Sequence, residues 1–189
     1  QNPFPGYIEF VATYTGTAIN YDPWVVKKKL TKKGETSFAA VGRLLEAYVQ
    51  KSELMPETAP NIVEIPVCYG GEYGPDLAYV AEYCHLTEEE VVKIHSSGEY
   101  LCYMIGFCPG FPFLGGMDQR IATPRRQTPR LAIPARSIGI AGQQTGGYPI
   151  STPGGWQIIG RSAIEMFDAS AENPTLLKAG DIVHFRSIT

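Results

Sequence analysis

The 189-residue chain lacks long apolar runs. No segment approaches the roughly 20 consecutive apolar residues that a bilayer-crossing helix needs, and the N-terminus carries no secretory pattern. It therefore reads as a soluble, cytoplasmic protein with no membrane association. Histidine and cysteine are scarce, at three and four residues. His85, His95 and His184 stand apart, and Cys68, Cys84, Cys102 and Cys108 form no C-x-x-C pair. The ligand spacing of a zinc site is missing, so no metal is assigned and the thiols are expected to be reduced core groups. Both G-x-x-x-x-G-K-[ST] and a strand-following G-x-G-x-x-G are missing, which excludes nucleotide binding by those two mechanisms. G-x-S-x-G is absent too, so a self-sufficient serine hydrolase is not expected.

Lysine is missing from residues 106–161, and acids are nearly so. That stretch holds six Arg (Arg120, Arg125, Arg126, Arg130, Arg136, Arg161) and Asp118 as its one acid, a formal charge of +5 in a chain whose net charge is −3. It also holds 11 of the 20 Gly and 7 of the 15 Pro. Guanidinium forks match carboxylate and phosphate oxygens bidentately, so a loop-rich, Arg-only third of an acidic chain points to an anion site. The lysines at 27–29 and 32–33 lie beside no aromatic platform and read as a solvated face, which argues against nucleic-acid binding.

The organisation is α+β. Tyr7–Tyr14 and Ala18–Tyr21 read as two strands around a Thr15-Gly16-Thr17 turn. Phe38, Val41, Leu44, Leu45, Tyr48 and Val49 recur at helical spacing and predict a helix packed on them. Leu54–Asn61, with Pro56 and Pro60, reads as a linker, so the chain divides into a small α/β domain over 1–60 and a second domain over 61–189. Because the chain opens at Gln1 rather than Met, the first domain is read as truncated. In the second, Ile62–Val67 predicts a strand, Pro75-Asp76 opens a helix through Cys84, and Thr87 to Glu90 has the capping-box pattern of another that ends near Ser96–Gly98. Tyr100–Phe107, Ser137–Ala141, Gln157–Ser162, Ile164–Phe167 and Asp181–Ile188 then predict short strands. Many short strands separated by turn residues imply a closed or nearly closed β-barrel.

Two prolines stiffen Thr123–Arg130, which carries Arg125, Arg126 and Arg130. Gly142–Pro149 and Thr152–Trp156 add amide, hydroxyl and aromatic groups, and their glycines would let a ligand approach the backbone. These segments either form a polar pocket for an amide or carboxylate, or turn corners in a barrel. His95, at a predicted helix end, reads as a C-terminal cap or as a base.

The runs Gly106-Phe107-Cys108-Pro109-Gly110-Phe111-Pro112-Phe113-Leu114-Gly115, Pro124-Arg125-Arg126, Pro129-Arg130, Gln144-Thr145-Gly146 with Tyr148-Pro149, and Pro153-Gly154-Gly155-Trp156 with Ile159-Gly160-Arg161 resemble the 5-oxoprolinase B-subunit family. That family is also labelled allophanate hydrolase subunit 1 and includes a Kip-type inhibitor of a sporulation histidine kinase. The likeness extends upstream through Tyr69-Gly70-Gly71, Gly74-Pro75-Asp76-Leu77 and His95-Ser96-Ser97. Two positions depart from the family pattern: Arg136 replaces a usual Gly, and Gly147 replaces a branched apolar residue.

The resemblance implies a cyclophilin-like β-barrel from about residue 61. It also implies work with a homologous C subunit and an A subunit to open 5-oxoproline to L-glutamate using ATP with Mg2+ in the complex, and no activity without those partners. Under it, His95 and Arg126 are the catalytic candidates. Arg125 and Arg130 bind phosphate or carboxylate, and Gln144, Thr145, Tyr148 and Trp156 shape the substrate pocket. The family also admits two other readings, a protein-binding inhibitor of a histidine kinase and an allophanate- or urea-related amide hydrolase.

Overall fold

The computed structural model describes residues 3–14, 16–52 and 59–188. Most of the Leu54–Asn61 linker, and Thr15 in the first turn, lie outside them. The chain forms two compact units, residues 1–59 and 60–189.

In the first unit, β-branched and aromatic residues form an antiparallel hairpin of β1 (Tyr7–Ala12) and β2 (Thr17–Tyr21). A helix that the sequence pattern does not announce follows, α1 (Pro23–Lys29). Asp22 caps it by accepting from the backbone N–H of Trp24 and Val25, and proline at its first position costs no hydrogen bond. Helix α2 (Ser37–Ser52) carries the expected apolar stripe, but only part of that stripe is core. Val41 is buried with Phe4, Val26 and Ala40, and Leu44 and Leu45 pack against them. Phe38, at 80% exposed, and Tyr48 and Val49 remain outside. A unit this small, with one hairpin and one short helix to offer, buries a narrower face than the period alone suggests.

The second unit is a closed barrel of seven strands. In chain order they are β3 (Ile62–Tyr69), β4 (Tyr100–Ile105), β5 (Pro112–Gly115), β7 (Ser137–Ala141), β8 (Gln144–Gly147), β10 (Gln157–Ser162) and β11 (Ile182–Ile188). Around the barrel the order is β10-β3-β11-β4-β5-β8-β7, with β3 and β11 parallel and the other pairs antiparallel. Two further short strands, β6 (Arg130–Ile133) and β9 (Thr152–Gly154), pair with each other outside it. Inward residues such as Ile65, Val67, Ile138, Ile140, Leu114 and Phe185 fill the interior.

Helices α3 (Leu77–Cys84) and α4 (Glu88–Ser96) pack on β10 and β11 and bury Leu77, Val80 and Val91. α4 begins at the capping box legible in the sequence. The Glu90 N–H donates to Thr87 Oγ1 at 3.2 Å, and the Thr87 N–H donates to Glu90 Oε2 at 2.8 Å. Ile164–Phe167, expected as a strand, is instead an irregular segment with one bridge from Phe167 to Thr175, and it buries Met166.

One irregularity positions the site. Between β10 and β7, Ile158 faces Gly139 and Gly160 faces Ile138, so Ile159 is an extra residue and β10 bulges. The loop after β3 seals the bulge. Gly70 N–H donates to the Ile159 carbonyl at 3.0 Å, and Asp76 N–H donates to the Ile158 carbonyl at 2.9 Å. Any side chain at Gly74 would collide with the Ile159 carbonyl oxygen, so glycine is required for this approach.

Replacing Thr87 by Ala removes the reciprocal cap of α4 and is expected to cost about 1 kcal/mol, lowering the melting temperature by about 3 °C. An unchanged melting curve would mean that the cap contributes nothing to the unit.

Candidate functional site

The Arg-rich segment leading into β6 has no regular structure over residues 124–129, so other segments must hold it. Arg126 N–H donates to the Gly155 carbonyl at 2.7 Å, Gln157 Nε2 donates to the Pro124 carbonyl at 2.9 Å, and Arg130 enters β6 opposite Gly154. The charges are gathered by Asp76, a residue 4% exposed. Its two carboxylate oxygens accept from Arg130 Nη1 and Nη2 at 2.8 Å each, from Arg126 Nη1 at 3.0 Å and from Ile158 N–H at 2.7 Å. The bulge thus supplies a backbone donor to the same carboxylate that the guanidinium forks grip. Asp76 opens α3, as the sequence suggests, yet its side chain makes no capping bond because it is turned to the arginines.

Arg130 thus spends both terminal nitrogens on the protein's own carboxylate, while Arg126, expected as a catalytic group, spends only Nη1 there and keeps a buried Nε without a hydrogen-bond partner among the described residues. Arg125 differs. It is exposed and has no ion-pair partner among the described residues. It lines two adjoining hollows. One is an open cleft of about 530 Å3 with Tyr79, Arg126, Gln127 and Gln157 on its walls. The other is a cavity of about 120 Å3 walled by Phe107, Phe111, Phe113, Tyr148 and Trp156 and floored by Pro153 to Gly155.

The aromatic walls meet edge to face. Phe111 lies 5.4 Å from Trp156 and 5.2 Å from Tyr148, and Phe107 stands 6.4 Å from Tyr148 at 89°. Phe107 sits at the mouth, 63% exposed, with a left-handed φ of 66°. A bulky residue in that region bears strain, which is concentrated at binding sites more than elsewhere. A Cβ at Gly154 would collide with the Tyr148 hydroxyl, so this glycine lets the phenol reach the floor. Burial pushes the Tyr148 hydroxyl up to about 12, opposed by the Trp156 backbone and by the nearby Arg125 and Arg130 charges. The phenol keeps its proton and can donate it to a ligand.

His95 lies elsewhere. It is 0% exposed and lines neither hollow. Tyr69 Oη lies 2.7 Å from Nδ1, and Thr145 Oγ1 lies 2.8 Å from Nε2. Thr145 gives its hydroxyl proton to the Gly139 carbonyl at 3.1 Å, so Nε2–H must donate to Thr145 and Nδ1 must accept from Tyr69. Phe185 stacks on the ring at 4.6 Å. Both ring nitrogens are spent on the barrel, so the acid–base reading of His95 gives way to a structural one, and Thr145 is its partner rather than a pocket residue. Gln144 is half-buried at the start of β8 and lines neither hollow. Of the eight candidates, the structure brings Arg125, Tyr148 and Trp156 into one cavity. Sequence reasoning missed Asp76, Phe107 and Phe111. Gly74-Pro75-Asp76 offered a signal, an acid among turn residues, but nothing local showed that it lay opposite the arginines.

Residues 1–177 match the protein family described as carboxyltransferase domain, subdomain C and D. Among curated proteins, the B subunit of the Bacillus subtilis 5-oxoprolinase is 52% identical over all of this chain and 79% of its own length. The corresponding 5-oxoprolinase B subunit of Escherichia coli O157:H7 is 50% identical over 77% of this chain and 66% of its own. The chain belongs to the 5-oxoprolinase B-subunit family. The fold agrees, since a conserved uncharacterized protein of Pyrococcus horikoshii superposes with a TM-score of 0.66 at 42% identity, over 97% of this chain and 79% of that one.

Of the two positions expected to depart from the family pattern, the structure explains Gly147 and offers no reason for the arginine at 136. Arg136 sits at φ 69°, a conformation glycine adopts freely. A Cβ at Gly147 would lie 2.6 Å from Met166 Sδ, so Met166 occupies the room a side chain would need.

Burial holds the His95 imidazole down to about 3 in the folded chain, against about 6.5 when unfolded. The stability due to neutral His95 is complete above pH about 6.5 and is lost as pH falls toward 3. Between pH 7 and 5 this group should remove about 2 kcal/mol from the unfolding free energy. Urea titrations at both pH values should show that difference shrink in His95→Gln. An equal difference in both proteins would contradict the neutral, buried assignment.

Proposed function

We propose that this chain is the B component of an ATP-dependent 5-oxoprolinase that opens 5-oxoproline to L-glutamate with A and C subunits. The observation that carries this reading is the small aromatic cavity with Arg125 at its rim and no acid among the described residues to neutralise it. The substrate pairs one carboxylate with a compact lactam ring. Arg125 takes the carboxylate bidentately, and Phe111, Tyr148 and Trp156 pack against the ring. The Tyr148 hydroxyl donates to a polar atom of the ring, and the Asp76 clasp keeps the loop from drifting with its ligand.

An unactivated lactam resists water. Bound in the complex, ATP would supply the activation as a phosphoryl donor to the lactam oxygen, with ADP as its product. One water would then add at the ring carbon as the C–N bond breaks and the nitrogen takes a proton, and a second water would release the phosphate and leave the free carboxylate. This chain's residues bind and orient the ring. Its sequence carries neither of the two nucleotide-binding glycine motifs, and among the described residues no three His, Cys, Asp or Glu cluster to hold a cation. The nucleotide and its Mg2+ are accordingly assigned to the assembled complex.

Glutamate release from 5-oxoproline by the full-length protein with its A and C partners should require ATP and should vanish when this chain is omitted. Arg125→Ala should raise KM for 5-oxoproline about 10- to 100-fold, the loss of one charge-assisted contact, with the melting temperature unchanged. Release that persists without this chain, or an unaltered KM, would overturn the reading.

A further inference from the structure

On another face of the barrel, two arginines converge without a carboxylate between them. Arg161, on β10, stands opposite Cys68 of β3 and Ser137 of β7. Arg136, in the turn before β7, accepts the Ser162 N–H on its carbonyl at 2.8 Å, which ties that turn to β10. Arg136, Arg161, Cys68, Tyr73, Ser162 and Ala163 line a cleft of about 250 Å3 that shares no residue with the Arg125 cavity.

Three features mark this cleft as a built site. The Tyr73 ring lies under the Arg161 guanidinium, 5.2 Å from its centroid, which fixes the plane of the fork. Arg161 Nε is buried and finds no hydrogen-bond partner among the described residues, an expensive condition for a charged donor unless a ligand orders the group. Arg136 is held at φ 69°, where a long side chain bears a conformational cost that glycine would not. Its one ion-pair partner among the described residues is Glu165 at 3.5 Å, a long contact between solvent-accessible side chains. Two fixed positive charges thus face one acid at the rim. The Ser162 hydroxyl is committed to Ile164, and Cys68 adds a thiol to the wall.

We propose that the Arg136–Arg161 cleft is a second anion site, one that takes a phosphoryl group. Two forks from different walls suit a tetrahedral dianion with several oxygens better than a planar carboxylate, which a single fork satisfies. The site stands apart from the Arg125 cavity, because none of its residues enters the lactam reading.

The test is a calorimetric titration of inorganic phosphate into the full-length protein, with the Arg161 Nε–H resonance followed in parallel. Saturable binding that shifts this resonance is expected, with acetate at least about tenfold weaker. Arg136→Gly relieves the left-handed strain, so it should fold normally while weakening phosphate about tenfold, and Arg161→Met should abolish binding. Glycerol 3-phosphate is the second probe. Competition by it identifies the end of a phosphomonoester as an occupant, and failure to compete restricts the site to the free ion; both outcomes support a phosphoryl site. No saturation up to about 10 mM phosphate, equal affinity for acetate, or undiminished binding in a folded Arg136→Gly variant would overturn the proposal.

Discussion

The carboxylate of Asp76 accepts four hydrogen bonds, three from guanidinium groups and one from the Ile158 backbone N–H beside the β10 bulge. Almost everything distinctive about the site hangs on this clasp. Removing a carboxylate and its partners from water is costly, and the attraction offsets that cost only when every lone pair is used. Here every lone pair is used, and both arginines keep part of their surface in water, at 36% and 25% exposed. The consequence is local order where sequence alone provides none. A Pro-stiffened loop without regular secondary structure becomes rigid because a helix start, a bulge and two forks meet at one acid.

That arrangement also sorts the arginines by task. Arg130 spends both terminal nitrogens and Arg126 one on Asp76, whereas Arg125, their neighbour in the chain, is left facing the aromatic cavity. A charge that is unmatched among the described residues, beside packed aromatic edges and a strained Phe107, is the arrangement expected of a recognition site. The buried Tyr69–His95–Thr145 line does the reverse. It uses up every polar atom and rigidifies the barrel. Two groups that look equally chemical in the sequence, a histidine and an arginine, therefore take opposite roles because one is enclosed and the other is not.

Much of the architecture was legible. β7 and β10 have the bounds their β-branched runs suggest, the Thr87 capping box starts α4, and the crowding of Arg, Gly and Pro marks where the cavities lie. Other elements were hidden for physical reasons. Strands β5, β8 and β9 are three or four residues long and rich in Gly, Pro and Thr, so only partners far along the chain make them strands. Asp76 lies 50 and 54 residues from the arginines it binds, and its place before a helix reads as an ordinary cap. Ile164–Phe167 has a strand's composition, yet it packs Met166 into the barrel instead of pairing. His95 illustrates the same limit, since burial rather than position in the helix decides its chemistry.

The most direct measurement is a double-mutant cycle between Asp76 and Arg130, with Asp76→Asn, Arg130→Met and the double variant unfolded in urea. The account predicts that each single change destabilises the protein by more than its share of the double, with a coupling of about 2 kcal/mol between the two positions. Additivity within about 0.5 kcal/mol would show that the two groups contribute separately and that the clasp does not organise the site.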